Sequence, residues 1–209
     1  MNNLSKRLKV LTSFINKNDK VADVGCDHGY LAIYLKENKI CEDIICSDIN
    51  KNALSSSINN IKKANLDIKT YLSDGLKNID LTNINTLVIA GMGANTIIKI
   101  LDVNKLNNIN KIIIQSNNDW NLLRRYLNNI GYYLEEEINI KDRNKWYTCM
   151  KYIKSNKKIN DEIVEYGYLN NKEYIDYLID HYTNILKRIP LNNDEYYKYK
   201  TIIEYLSKK

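Results

Sequence analysis

Five short β-rich runs, at residues 21–24, 44–46, 68–72, 86–90 and 111–115, alternate with helical stretches at 30–38, 52–64, 95–101 and 120–129. That alternation leaves few folds open. Strand, helix and strand in succession demand right-handed crossovers, which lay the strands parallel and cover both faces of the sheet with helices. Such a sheet presents its ligand sites at the carboxyl ends of the strands.

The pattern changes after Gly131. Residues 132–140 and 145–153 are two strand-like runs joined by Lys141-Asp142-Arg143-Asn144, the signature of a terminal β-hairpin. Five parallel strands followed by a hairpin resemble the Rossmann-like seven-stranded sheet of class I S-adenosylmethionine-dependent methyltransferases, in which one hairpin strand inserts antiparallel. A dehydrogenase would continue with a sixth strand–helix unit. The basic polar stretch 154–158 then interrupts the hydrophobic pattern, which places a domain boundary between 1–154 and 155–209. From Ile159 onward the chain reads as helical. Tyr174, Tyr177, Leu178, Tyr182, Ile185 and Ile189 recur at three- and four-residue steps, Pro190 stops that helix, and Tyr196, Tyr199, Ile203 and Leu206 restart the period after Asn192-Asn193-Asp194. An antiparallel helical hairpin, or short coiled coil, is expected. Its aromatic seam is read as helix packing, with a lever that grips RNA or a second subunit as the alternative.

Composition removes several classes. No run of about eighteen apolar residues occurs, and residues 1–10 lack the apolar centre of a signal peptide, so a cytoplasmic protein without a membrane span is expected. The four cysteines, Cys26, Cys41, Cys46 and Cys149, form neither a CxxC pair nor a His-completed metal spacing. They are read as reduced thiols, and no metal is expected. The net charge of +6 suits a polyanionic partner without naming one. Only five of the 31 basic residues are Arg, so each Arg is informative, because Lys cannot supply a planar fork to phosphate or carboxylate.

The most informative segment runs from Val21 to Leu31, a buried-type strand entering a glycine turn and then a helix. Its spacing is Asp23-x-Gly25-x-x-x-Gly29 rather than the GxGxxG of a dinucleotide site. Where that motif makes room for a pyrophosphate, this chain has Asp27. An acid repels pyrophosphate but attracts the sulfonium and ammonium of S-adenosylmethionine. Asp48, 23 positions beyond Gly25 at the end of the second strand, suits ribose hydroxyls, with Ile49 beside it. Asp74-Gly75 follows the third strand and suits an adenine amino group, although an Asp-Gly pair also makes a plain turn. Three acids at three consecutive strand ends outline an adenosine site, to which Gly25, Cys26, His28 and Gly29 contribute.

The fourth strand ends in Ala90-Gly91-Met92-Gly93, where close backbone approach to donor or substrate is possible and where the Pro-Pro-aromatic motif of amino-group methyltransferases is absent. The fifth ends in Gln115-Ser116-Asn117-Asn118-Asp119-Trp120, with amides that can read a base edge and an indole that can stack on it. Arg7, Arg124 and Tyr147 complete the set of candidate substrate contacts: the two arginines for phosphate or the donor carboxylate, the tyrosine as a platform. Thr148-Cys149 looks like the nucleophile pair of some cytosine-C5 methyltransferases, but its mid-strand position favours a core thiol.

Taken in order, Leu4-Ser5-Lys6-Arg7-Leu8, the Ala22–Leu31 segment, Ser73-Asp74-Gly75-Leu76, Ile89-Ala90-Gly91-Met92-Gly93 and Gln115-Ser116-Asn117, followed by a helical hairpin, resemble the bacterial tRNA (adenine(22)-N(1))-methyltransferase family over nearly the whole chain. The resemblance implies methyl transfer from S-adenosylmethionine to N1 of an adenine in the D-arm of tRNA, with S-adenosylhomocysteine as product and the helical tail helping to hold the RNA; no obligate protein partner is expected. The chain departs from the family in Gly29 for Ala, Ala94 for Gly, and Ser116 for Pro, the last expected to loosen the rim. Asp27 is the candidate catalytic carboxylate, with simple donor binding as its alternative. A methyltransferase of another RNA, of small molecules or of proteins, and a noncatalytic RNA-binding protein on the same fold, remain the competing classes.

Overall fold

A computed structural model describes residues 4–209. The seven expected strands are β1 (Lys20–Val24), β2 (Asp43–Asp48), β3 (Lys69–Leu72), β4 (Thr86–Met92), β5 (Lys111–Ser116), β6 (Tyr132–Asp142) and β7 (Lys145–Lys154). They form one sheet of order β3-β2-β1-β4-β5-β7-β6. Strands β1 to β5 pair in parallel, and β7 inserts antiparallel between β5 and β6. The central strands are buried on both faces, with Val21, Leu87, Val88, Ile112 and Ile113 fully enclosed, as a sheet covered by helices on either side requires.

Helices α2 (Tyr30–Glu37), α3 (Lys51–Lys63), α4 (Ala94–Ile100) and α5 (Trp120–Asn129) fall where the periodicity placed them. Helix α3 starts cleanly because the Asn50 side chain accepts hydrogen bonds from the amides of Asn52 and Ala53. Helix α1 (Lys6–Ser13) lies in a stretch to which the sequence reading assigned no element. Leu11, Phe14 and Ile15 at its end join Val21, Leu35, Ile44, Ile113 and Cys149 in a core on one face of the sheet. Cys149 is therefore a core thiol, and burial pushes it up to about 12.

The strand order reverses between β1 and β4, and the crevice at that reversal is where a ligand enters an open parallel sheet. Two devices shape it. Gly29, at φ +71°, begins α2 in the left-handed region, and a Cβ there would lie 2.4 Å from the Ser57 hydroxyl. Gly91, at φ +79°, sits where the β4–β5 register shifts between Ala90 and Met92, a bulge that turns the end of β4 outward.

The chain divides into one compact unit ending at Gly167 and a second from Tyr168 to Lys209. The first reaches beyond residue 154 because a short helix, α6 (Asp161–Tyr166), docks on the sheet domain. The cause is Arg124 on α5. Its Nε and Nη2 donate to the two carboxylate oxygens of Glu137 on β6 at 2.8 and 3.0 Å, and its Nη1 donates to the carbonyls of Val164 and Glu165 at the end of α6. Arg124 and Glu137 are both buried, and a Cβ on Gly167 would collide with their side chains. In the second unit, α7 (Lys172–Leu186) and α8 (Asp194–Leu206) pack as the expected helical hairpin, with Tyr182 against Tyr199 and Asn193 capping α8.

Removing the guanidinium leaves Glu137 as an uncompensated buried charge. Arg124→Ala is expected to cost about 3–5 kcal/mol in urea unfolding; a loss below about 1 kcal/mol would show that the pair does not organise this part of the fold.

Candidate active site

The loop between β1 and α2 is bound to the end of β2 by backbone and carboxylate alike. The amides of Gly25 and Cys26 both donate to the Ser47 carbonyl, at 2.8 and 2.9 Å. The Asp27 amide donates to one oxygen of Asp48 at 3.0 Å and the Asn50 amide to the other at 2.8 Å. Each Asp48 oxygen keeps a lone pair for a further donor. Gly25, Asp27 and Gly29 all adopt positive φ, a path that glycine and, among other residues, Asp and Asn follow most readily.

Two adjoining clefts open at this loop. The inner one, ≈ 320 Å³, is formed by Asp23, Gly25, Cys26, Ala90, Gly91 and Met92. The outer one, ≈ 470 Å³, is formed by Leu4 and Ser5 before α1 and by Asp142, Arg143 and Tyr147 of the β6–β7 hairpin. Arg7, Leu8, Asp27, His28 and Tyr30 line both and form the wall they share. Asp27 on this wall is well exposed, with His28 Nε2 3.6 Å from its carboxylate.

Asp23 is the unusual group. Only 5% exposed, it borders the inner cleft, and no donor among the described residues reaches its carboxyl. Burial first, and the Asp48 charge second, push its pKa up to about 7. A buried carboxyl bordering a cleft in this way suits a cationic ligand. The S-adenosylmethionine expected from the sequence fits: Asp23 can take its ammonium, Asp48 retains acceptor capacity for ribose hydroxyls, and Arg7 is available to a carboxylate. Among the described residues no group of three or more His, Cys, Asp or Glu side chains can hold a metal ion, and no helix is long and apolar enough to cross a membrane.

Arg7 is held in place. Its Nη1 donates to Gln115 Oε1 at 2.6 Å, Gln115 Nε2 donates to Asn117 Oδ1 at 3.2 Å, and Asn117 Nδ2 donates to the Gly91 carbonyl at 2.8 Å. Its guanidinium also lies over the Tyr147 ring, 5.4 Å from the centroid. Gln115, fully buried, therefore aims Arg7 instead of reading a base edge, and Asn117 ties β5 to the Gly91 bulge.

Two further expectations, for Arg124 and Ser116, are corrected. Arg124 contacts neither donor nor phosphate, because Glu137 and α6 consume its fork. Trp120 lies in neither cleft and donates its indole N–H to the Ser116 carbonyl at 3.0 Å, which spends its polar edge on the start of α5. Asp74 and Gly75, like Asp48, do not line the two clefts; Asp74 is exposed beyond the end of β3 and paired with Lys77. Ile49 stands exposed beyond Asp48. Ser116 does not loosen the rim, since its hydroxyl donates to the Asn118 carbonyl at 2.8 Å.

The sequence reading missed Tyr30, Leu8, Asp142 and Arg143 as cleft residues. Tyr30 and Leu8 stood within motifs it had quoted; the hairpin residues reach the site only through the insertion of β7 beside β5.

A glycine turn with acids behind it, on a sheet with this strand order, is the arrangement of class I methyltransferases. The Methyltransferase domain family matches residues 4–150. A Mycoplasma genitalium protein named as a tRNA methyltransferase is 35% identical over 191 residues, covering 88% of this chain and 87% of its own. TrmK of M. capricolum, solved with S-adenosyl-homocysteine, superposes with a TM-score of 0.86 at 33% identity, over 98% of this chain and 96% of that one. The Bacillus subtilis tRNA (adenine(22)-N(1))-methyltransferase is 30% identical over 151 residues, 70% of this chain and 63% of that relative. The chain belongs to the bacterial tRNA (adenine(22)-N(1))-methyltransferase family.

The raised pKa of Asp23 carries a sign. The folded state holds this proton more tightly than the unfolded chain, so stability without donor falls as pH rises from about 4 to about 7. The full penalty is on the order of 4 kcal/mol. Asp23→Asn is expected to raise the melting temperature at pH 8 while weakening donor binding, and wild-type donor affinity should climb as pH passes through 7. Equal melting temperatures for the two proteins across pH 4–8 would refute a strained carboxyl.

Proposed function

We propose that this chain transfers a methyl group from S-adenosylmethionine to N1 of adenine 22 in tRNA. One observation carries the reading: two clefts of different chemistry share the wall that contains Asp27. The inner cleft has the orphan acid and glycine edges that suit a cationic donor, and the outer has aromatic and basic walls that suit a nucleotide.

S-adenosylmethionine bound in the inner cleft would supply an electrophilic methyl on a cationic sulfur. Adenine N1 has an in-plane lone pair once the base is unpaired, so no proton need be removed before attack. The residues' task is alignment, which the shared wall performs by holding both partners at one opening. N1 belongs to the Watson–Crick edge, so the base must enter turned out of its stack or already unpaired. Tyr30, about one-third exposed and 5.4 Å from the His28 ring, is placed to contact it. Tyr147 is less free than a bare platform, because Arg7 and Lys145 each lie 5.4 Å from its ring centroid.

As the methyl moves, positive charge passes from sulfur toward the purine. Asp27, on the wall between the clefts, is placed to accompany that charge without becoming protonated. Asp23, behind the donor, holds rather than reacts.

Methyl transfer from labelled S-adenosylmethionine to unmodified tRNA transcripts tests this directly. Label should appear as 1-methyladenosine and vanish when adenine 22 is replaced by guanine; label at another position, or in no tRNA at all, would reject the assignment. Asp27→Asn should lower kcat on the order of 10²-fold with donor still bound, whereas an unchanged kcat at saturating donor and tRNA would confine Asp27 to binding.

A further inference from the structure

We infer that the tip of the β6–β7 hairpin is a phosphate-binding site, with Arg143 as its principal ligand, that grips the tRNA backbone beside the target nucleotide. This rests on tRNA being the substrate. The β6–β7 register pairs Asp142 with Lys145, so the reversal contains only Arg143 and Asn144, at φ +52° and +49°. Two positive φ values define a type I′ turn, whose usual occupants are Asn and Gly. Arg at its first position brings a side chain where the turn itself prefers none.

The surroundings show what that side chain meets. Asp142 is the one acid of the tip, and it accepts a hydrogen bond from the Arg7 amide at 3.3 Å in the first turn of α1. Its charge is thereby turned toward the helix and away from its neighbours. Lys141, Arg143 and Lys145 are exposed, and none has a carboxylate partner among the described residues. Lys141 lies over Trp146 and Lys145 over Tyr147, which steadies both ammonium groups without neutralising them. Arg143 borders the outer cleft beside Tyr147 and Asp27.

The other arginines narrow the choice. Arg124 is buried against Glu137, Arg125 lies 4.0 Å from Glu165, and Arg7 is aimed by Gln115 at the wall the two clefts share. Among the described residues of the first unit, Arg143 is the arginine whose side chain has no partner, and it borders the outer cleft. A phosphodiester flanking a turned-out base lies within one nucleotide of that base, and the guanidinium fork matches two of its oxygens.

Arg143→Gly separates this role from folding, because glycine suits the left-handed position better than arginine and should leave the melting temperature at or above wild type. With tRNA transcripts, its affinity at 0.1 M salt should fall roughly five- to eightfold, the effect of one counterion fewer released. The slope of log K against log salt should decrease by about 1, and the donor dissociation constant should stay unchanged. Adding Lys145→Ala should remove a second unit of slope. An unaltered salt slope in a folded Arg143→Gly protein would overturn the proposal, and so would a lower kcat at saturating tRNA with affinity intact. Should the wild type bind no tRNA, the substrate reading itself would fail, an outcome distinct from a wild type that binds with a salt slope Arg143 does not influence.

Discussion

The Asp48 carboxylate is the constraint on which the site depends. One oxygen receives the Asp27 amide, the other receives the Asn50 amide, and its own carbonyl accepts the Ser73 amide from beyond β3. The ends of β1, β2 and β3 are thus joined through one residue. The cost is electrostatic: the charge that organises the loop lies close enough to Asp23 to oppose its ionisation in a buried place. A cation and a hydroxyl-bearing ligand arriving together would relieve both acids, so the contacts that stabilise the loop do so at the expense of Asp23.

A second chain of contacts connects the donor side to the target side. Gly91 turns left-handed at the end of β4, its carbonyl holds Asn117, Asn117 holds Gln115, and Gln115 aims Arg7. Arg7 in turn lies over Tyr147, and its amide is capped by Asp142. Each link is a single hydrogen bond or ring contact of modest worth, but the chain is short and joins five elements of the sheet domain, β4, β5, α1, β6 and β7. Both clefts therefore inherit their shape from one bulge in β4 and one helix, α1, whose sequence gives little warning of its importance.

That contrast explains what was legible. Strands and helices of the sheet domain were readable because burial on both faces forces continuous apolar runs, and the glycine turn from Asp23 to Gly29 was readable because its positive φ values permit few residue types. Arg124 was misjudged for the opposite reason. An arginine facing a phosphate and an arginine facing Glu137 look alike in a sequence, and only the packing of α5 on β6 decides between them. Gln115 was misassigned in the same way, since its side-chain amide is spent on Arg7 and Asn117 inside the protein before a ligand reaches it. The hairpin tip was invisible as a site because 142–147 become neighbours of Asp27 only when β7 inserts beside β5.

Insertion of β7 is also what brings the hairpin tip to the carboxyl edge of the sheet. A sixth parallel strand would carry its following loop to the carboxyl edge behind a helix, far from the β1 turn. An antiparallel β7 instead starts at that edge, so Arg143 of the tight reversal and Tyr147 of β7 line the same cleft as Asp27. Within this arrangement the donor side depends on backbone geometry that tolerates little change, whereas the proposed nucleotide grip would rest on side chains at and beside a two-residue turn. The tip can change its charge without disturbing the sheet, and the glycine loop cannot change its path without losing Asp48. Selection among RNA substrates thus has room to vary at the hairpin while the methyl-donor chemistry stays fixed at the strand ends.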